Sequence, residues 1–284
     1  MSSDVESAVP RMLYEPGFEG WDVSMATVWT DYAIVVVGLL CAGRIYTRHW
    51  LYLEAVSASF VRFAFCESMA YGFGGVSHHM LSSYFQDGVA MSKRWGEGSW
   101  EWMIFWLVAM VFGPLGTAFG FDLALSCAGL GVGLIRLANV FGRLVAAWEL
   151  AMCIMSVDNS GTIAFFWSLF SAVVSLGVTF RNGAQAGGVW FLAAGWLSRV
   201  VAYLLVLTAP PACKGGESIE IVTEAGATYR TVPGDCVYSK HFNHNAIFHV
   251  LVALSLVFIL FGVDAKLSTK EREAACVSMV RILR

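Results

Sequence analysis

The chain has 284 residues, of which 57% are hydrophobic and only 14% charged, and its formal net charge is −3. An ordinary soluble domain is about 25% charged, so a soluble globular fold is excluded. No basic block, Gly-rich phosphate loop or zinc-finger spacing occurs, which excludes nucleic acid as a partner. Eleven Trp and twenty Phe suit membrane interfaces and helix packing. The expected fold class is all-α: a polytopic membrane protein with membrane lipids as its surroundings.

In chain order, segment 1–26 is polar and acidic, with Asp4, Glu6, Glu15, Glu19 and Asp22. It lacks the basic stretch and short apolar core of a signal peptide and the Arg-rich make-up of a transit peptide. The first span is therefore expected to direct insertion. A span needs about 20 mostly apolar residues, and seven stretches qualify: 27–46, 53–80, 100–130, 137–157, 162–180, 188–207 and 245–263. The third continues past Pro114 to about Leu130, and Gly113, Gly116, Gly120, Gly129, Gly131 and Gly133 are expected to kink or break it. Membrane domain 27–264 is followed by segment 265–284, where Ser268-Thr-Lys-Glu271 forms a capping box expected to open a separate amphipathic helix.

The loop charges set an orientation. Ten Lys and Arg fall on the side of the first, third and fifth loops and the C-terminus, against six on the other side. The positive-inside rule then places the N-terminus outside the cytosol and the C-terminus within it. Loop 210–240 lies on the outer side under this arrangement. Its runs Ile219–Thr223 and Thr228–Val232, about a Gly-containing turn, read as a small β-hairpin. Cys213 and Cys236 bracket it, and a disulfide between them would suit an oxidising compartment. Cys41, Cys66, Cys127 and Cys153 lie in apolar runs and read as packing residues.

Candidate chemistry gathers at one depth. Three of the six histidines fall in His241-Phe-Asn-His244-Asn-Ala-Ile-Phe-His249, at the start of the seventh span. His78 and His79 end the second span, Asp31 begins the first, and Asp87 and Glu101 flank the second loop. Intramembrane ionisable groups are costly and are paired, hydrated or ligated. Imidazoles bind zinc, and three protein ligands plus water make a catalytic site. His78, His79, His244 and His249 are thus candidate Zn2+ ligands, with Asp31 and Asp87 as candidate catalytic carboxylates. Adjacent His78 and His79 diverge by about 100° on a helix, so one of them faces the core. His244 either shares the last helix with His249 or precedes it in a loop able to swing toward it. A deeper layer of Arg62, Glu67, Asp122, Glu149 and Arg199 reads as ion pairs that lock helix packing, with Glu149–Arg199 one candidate pair. Gly72, Gly74 and Gly75 read as points of close helix approach.

Asn243-His-Asn-Ala-Ile-Phe-His-Val-Leu-Val252 resembles the seventh helix of the adiponectin/progestin receptors and of the alkaline ceramidases. Gly74-Gly-Val-Ser-His-His79 stands where the Ser-x-x-x-His element of that superfamily of seven-helix membrane hydrolases belongs. The histidines here are five residues apart where the superfamily usually has four. Gly74 and Gly75 occupy the places four before His78 and His79 where it has Ser. The resemblance implies a seven-helix architecture, a zinc site and hydrolysis of lipid amides or related amphiphiles. A non-enzymatic receptor, or a scaffold subunit with a membrane-protein partner, stands beside this reading. A proton-linked transporter is the third, disfavoured by the lack of an internal repeat.

Overall fold

The computed structural model describes residues 25–49, 55–86, 100–130, 132–155, 161–183, 188–208, 217–223, 226–232 and 244–282. Side chains are described within these ranges apart from 84–86, 132, 182–183, 217–232 and 270–282. The elements are α1 (Met25–His49), α2 (Ala55–Gln86), α3 (Trp102–Cys127), α4 (Val132–Met155), α5 (Thr162–Gly183), α6 (Val189–Thr208), β1 (Glu217–Thr223), β2 (Gly226–Val232) and α7 (His244–Ile282). The two strands pair antiparallel, Glu217 opposite Val232 and Thr223 opposite Gly226, a hairpin close to the one expected.

Six of the seven helices (α1, α3, α4, α5, α6 and α7) are long and apolar enough to cross a membrane, so the chain is an integral membrane protein. Their outward faces agree: Trp190 is 76% exposed and Leu40 68%, surfaces suited to lipid rather than water. α2 is the polar exception. It turns Ser57, Ser59, Glu67, Ser68, Ser77, His78 and Ser82 into the bundle, where all are buried.

Packing closes a ring. α1 lies against α2 and α7, α2 against α3, α3 against α5, α5 against α6, and α6 against α7, while α4 packs outside against α3 and α5. Odd helices run one way and even helices the other. Asp31 and Val35 of α1 therefore meet Gly75 and Gly72 of α2, and Ser59 of α2 meets Asp122 of α3. The main core takes Ile34, Phe60, Phe63, Leu123, Trp196, Leu256 and Ile259 from five helices. A second cluster around Phe121, Val145 and Trp167 holds α4 in place.

Of the expected glycine breaks, one is made. α3 runs through Pro114 as expected, with Gly142 of α4 beside Ala118 and the Pro114 carbonyl. It stops before Gly129, whose φ of 70° places it in the left-handed region. The Leu130 N–H then bonds the Leu125 carbonyl at 3.0 Å and the Gly129 N–H bonds the Ser126 carbonyl at 3.1 Å, a Schellman-type end. The capping box at Ser268 is unused. α7 is one helix of 39 residues. The Thr269 hydroxyl donates to the Ala265 carbonyl within that helix at 2.9 Å, and Ser268 turns to Arg48. Extending an existing helix avoids the nucleation that a separate one requires.

Candidate functional site

The end of the bundle where α1 begins holds the histidines; call it the histidine end. His249 is buried on the second turn of α7, and its Nδ1 lies 3.2 Å from Asp31 Oδ1 and 3.1 Å from Thr30 Oγ1. The Thr30 hydroxyl has one proton, and the Ala26 carbonyl (2.8 Å) and Thr27 carbonyl (3.0 Å) both stand in reach to accept it. Thr30 Oγ1 is then an acceptor toward the ring. Asp31 Oδ1 is an acceptor as well, so the network assigns the proton to Nδ1 and makes Nε2 the basic nitrogen. Tyr71 sits edge-on to the imidazole with ring centroids 5.3 Å apart, and Phe248 flanks it at 5.2 Å.

Gly75 makes this contact between helices possible. A Cβ there would stand 2.8 Å from Asp31 Cβ and 3.2 Å from the Tyr32 ring. Gly75 is thus the residue that lets α2 close on Asp31.

The other expected residues disperse. His78 is buried and sits edge-on to Trp106 of α3, centroids 6.2 Å apart. His79 is exposed, and its Nδ1 lies 3.3 Å from the Tyr32 hydroxyl of α1. One of the adjacent pair faces the core, as helical geometry requires. His244 is buried and is the first residue of α7. Both last-helix histidines are therefore helical, about 140° apart in direction, and the loop alternative for His244 falls away. Asp87, His241 and the Cys213–Cys236 pair lie outside the described residues. Cys41, Cys66 and Cys153 are buried in the core and Cys127 lies at its margin.

Zinc takes three protein ligands at a catalytic site. Among the described residues, no three His, Cys, Asp or Glu side chains come together to hold an ion. The described donor set does not fit zinc, and no chemical step is routed through a metal.

Below the dyad, Tyr71 leads to a buried ion pair. Arg199 of α6 grips Glu67 of α2 with both terminal nitrogens, at 2.7 and 3.3 Å, and its Nε donates to Ser255 of α7 at 3.1 Å. Phe63 lies under the guanidinium, 4.7 Å from ring centre to Cζ. Gly116 of α3 leaves room for the carboxylate, since a Cβ there would stand 3.0 Å from Glu67 Oε1. The suggested Glu149–Arg199 pair is corrected by this geometry. Glu149 instead accepts the backbone N–H groups of Gly161 (2.5 Å) and Ala164 (2.7 Å), capping α5, where the helix dipole favours an anion. Asp122 accepts from Ser59 at 3.0 Å, and Arg62 lies over the Phe119 ring.

A second carboxylate–imidazole contact, which the sequence reading passed over, lies at the opposite or arginine end. Asp264 of α7 meets Arg44 (3.3 Å), Arg48 (2.7 Å) and His49 Nε2 (3.3 Å), all from the last turns of α1. The i,i+4 spacing of Arg44 and Arg48 near the end of an apolar run was the signal available for it.

No family model, no curated relative and no solved structure matches this chain.

Proposed function

We propose that this chain is a seven-span membrane protein with its histidine end outside the cytosol, and that Asp31 and His249 form the acid–base site of a hydrolase acting on a lipid amide or related amphiphile. The observation that carries the reading is the buried Asp31–His249–Thr30 contact, which presents Nε2 as a base. A carboxylate that orients an imidazole through Nδ1–H is a recurrent way to build a general base. In the proposed step, Nε2 takes a proton from water as the water oxygen bonds to the amide carbon. The imidazolium then returns that proton to the leaving nitrogen as the C–N bond breaks. The resemblance to seven-helix membrane hydrolases supports the same substrate class.

The orientation rests on charge. Arg44, Arg48, Arg62, Arg136, Arg181 and Lys266 lie toward the arginine end, whereas among the described residues Arg230 of β2 belongs to the segment at the histidine end. α2 counts as the seventh span in this reading because its polar side chains face inward and its length of 32 residues exceeds the roughly 20 needed.

The test is release of fatty acid from a fluorescent N-acyl amide lipid by purified full-length protein in vesicles. Wild type is expected to turn over, and Asp31→Asn and His249→Gln to lose on the order of 100-fold or more. A correctly folded wild type without turnover across short- and long-chain amides would sink the proposal.

A second reading, a non-enzymatic receptor or scaffold, is favoured by one observation: Glu67–Arg199, Asp264–Arg48 and Asp122–Ser59 each tie one helix to another. On that reading His249→Gln lowers thermal stability and alters no turnover.

A further inference from the structure

We infer that Arg44 and Arg48, gathered by Asp264 on the seam between α1 and α7, bind the phosphate headgroup of an anionic lipid in the leaflet at the arginine end. The seam is built for this. Asp264 Oδ2 accepts from the Nη2 of Arg44 at 3.3 Å and the Nη1 of Arg48 at 2.7 Å, so one carboxylate oxygen holds two guanidiniums side by side. Its other oxygen, Oδ1, is 3.3 Å from the Nε2 of His49, which is buried behind it. Arg48 Nη2 also reaches Ser268 Oγ at 3.3 Å, which fixes the second guanidinium on both sides.

The carboxylate is 12% exposed, while the two Arg side chains are 52% and 47% exposed. Its single charge therefore holds both guanidiniums and leaves a net cation about half exposed. A planar guanidinium has five donors in a fixed fork that matches phosphate oxygens. Two of them held on one anchor present converging donors with little rotamer freedom left to lose.

Position chooses the source of the phosphate. Both arginines lie on the last turns of a membrane-crossing helix, and Leu39, Leu40 and Tyr46 of the same helix are exposed. A group bound at the seam thus stands where acyl chains run along the helix and headgroups begin. Basic pockets between spanning helices are suited to anionic headgroups.

The experiment reads lipid retention by native mass spectrometry of the full-length protein released from vesicles of phosphatidylcholine with one tenth phosphatidylglycerol. Wild type is expected to keep phosphatidylglycerol in preference to phosphatidylcholine, and Arg44→Gln/Arg48→Gln to lose that preference by on the order of 10-fold. Arg136→Gln/Arg181→Gln removes the same charge from exposed cations at the same end and is expected to keep it. Arg44→Lys/Arg48→Lys, which preserves charge but not the fork, is expected to fall between. Equal loss in both Gln doubles, or no preference in wild type, would overturn the inference by reducing it to general surface charge. Displacement of the lipid by millimolar inorganic phosphate would overturn its assignment to a headgroup.

Discussion

The two ends of the bundle carry the same pair of groups on the same two helices. At the histidine end, Asp31 of α1 meets His249 of α7 at 3.2 Å; at the arginine end, Asp264 of α7 meets His49 of α1 at 3.3 Å. Helix and partner are exchanged, and so is the ring nitrogen, Nδ1 in the first and Nε2 in the second. The surroundings differ more. Two guanidiniums share Asp264, so its charge is balanced whether or not His49 is protonated. At Asp31, by contrast, the recorded neighbours of the His249 contact are a hydroxyl and aromatic rings. Clamped by two arginines, the contact at Asp264 serves as an anchor. On the two proposals made above, the same residue types support chemistry at one end and binding at the other.

The largest way to break this comparison is to remove what lies between the ends. Arg199→Met leaves Glu67 buried and uncompensated, with an expected loss of about 3–5 kcal/mol. The double variant Glu67→Gln/Arg199→Met is expected to recover much of that loss, because the charge and its partner leave together. Thermal unfolding in detergent compares the two. Equal destabilisation in the single and double variants would mean that shape at this position matters more than charge, and that the ends are held by apolar packing alone.

How much of this was legible beforehand depends on range. Helix count, the inward turn of one residue of His78 and His79, and the close approach at Gly72 and Gly75 follow from local spacing, which helical periodicity determines. Pairings across the bundle do not. Glu67 and Arg199 are 132 residues apart, and the charges inside the spans offered more than one pairing until the helices were placed. Glu149 is a case in point: its acceptors are backbone amides at the start of another helix, which side-chain inventory cannot display. Asp264 was hidden for a related reason. The capping box four residues later suggested a helix boundary there, and only a continuous α7 carries Asp264 and Ser268 together against α1. Among the described residues no three metal ligands gather: His244 and His249, both helical, diverge, while His78 turns to Trp106.

A sharper probe of the histidine end leaves every polar group in place. Gly75→Ala adds one methyl against Asp31 Cβ, where the ideal separation is 2.8 Å. α1 and α2 must part slightly, at a cost of about 1–3 kcal/mol for overpacking. Because Asp31 rides on α1 and His249 on α7, that shift acts on their 3.2 Å contact. The proposed amide hydrolysis is expected to fall more than stability does, and Gly74→Ala, which meets no atom within 4 Å, is expected to be near neutral in both. Equal behaviour of the two variants would remove Gly75 from the account of the site.

The smallest effect is expected from Asp264→Asn, and it separates the two ends most cleanly. Asn keeps the shape and an acceptor oxygen but loses the charge that holds Arg44 and Arg48 together. Both arginines are about half exposed, so solvent screens the loss, and the stability change should be only about 1 kcal/mol or less. Without their anchor the guanidiniums repel and separate, so preference for phosphatidylglycerol should weaken even though the local charge has become more positive. A purely electrostatic surface would respond in the opposite sense, binding the anionic lipid more tightly. Amide turnover at the histidine end should be unchanged by this substitution. Reduced lipid preference with intact turnover would establish that the two carboxylate–imidazole contacts work independently, whereas a parallel fall in both would make α7 a shared lever between them.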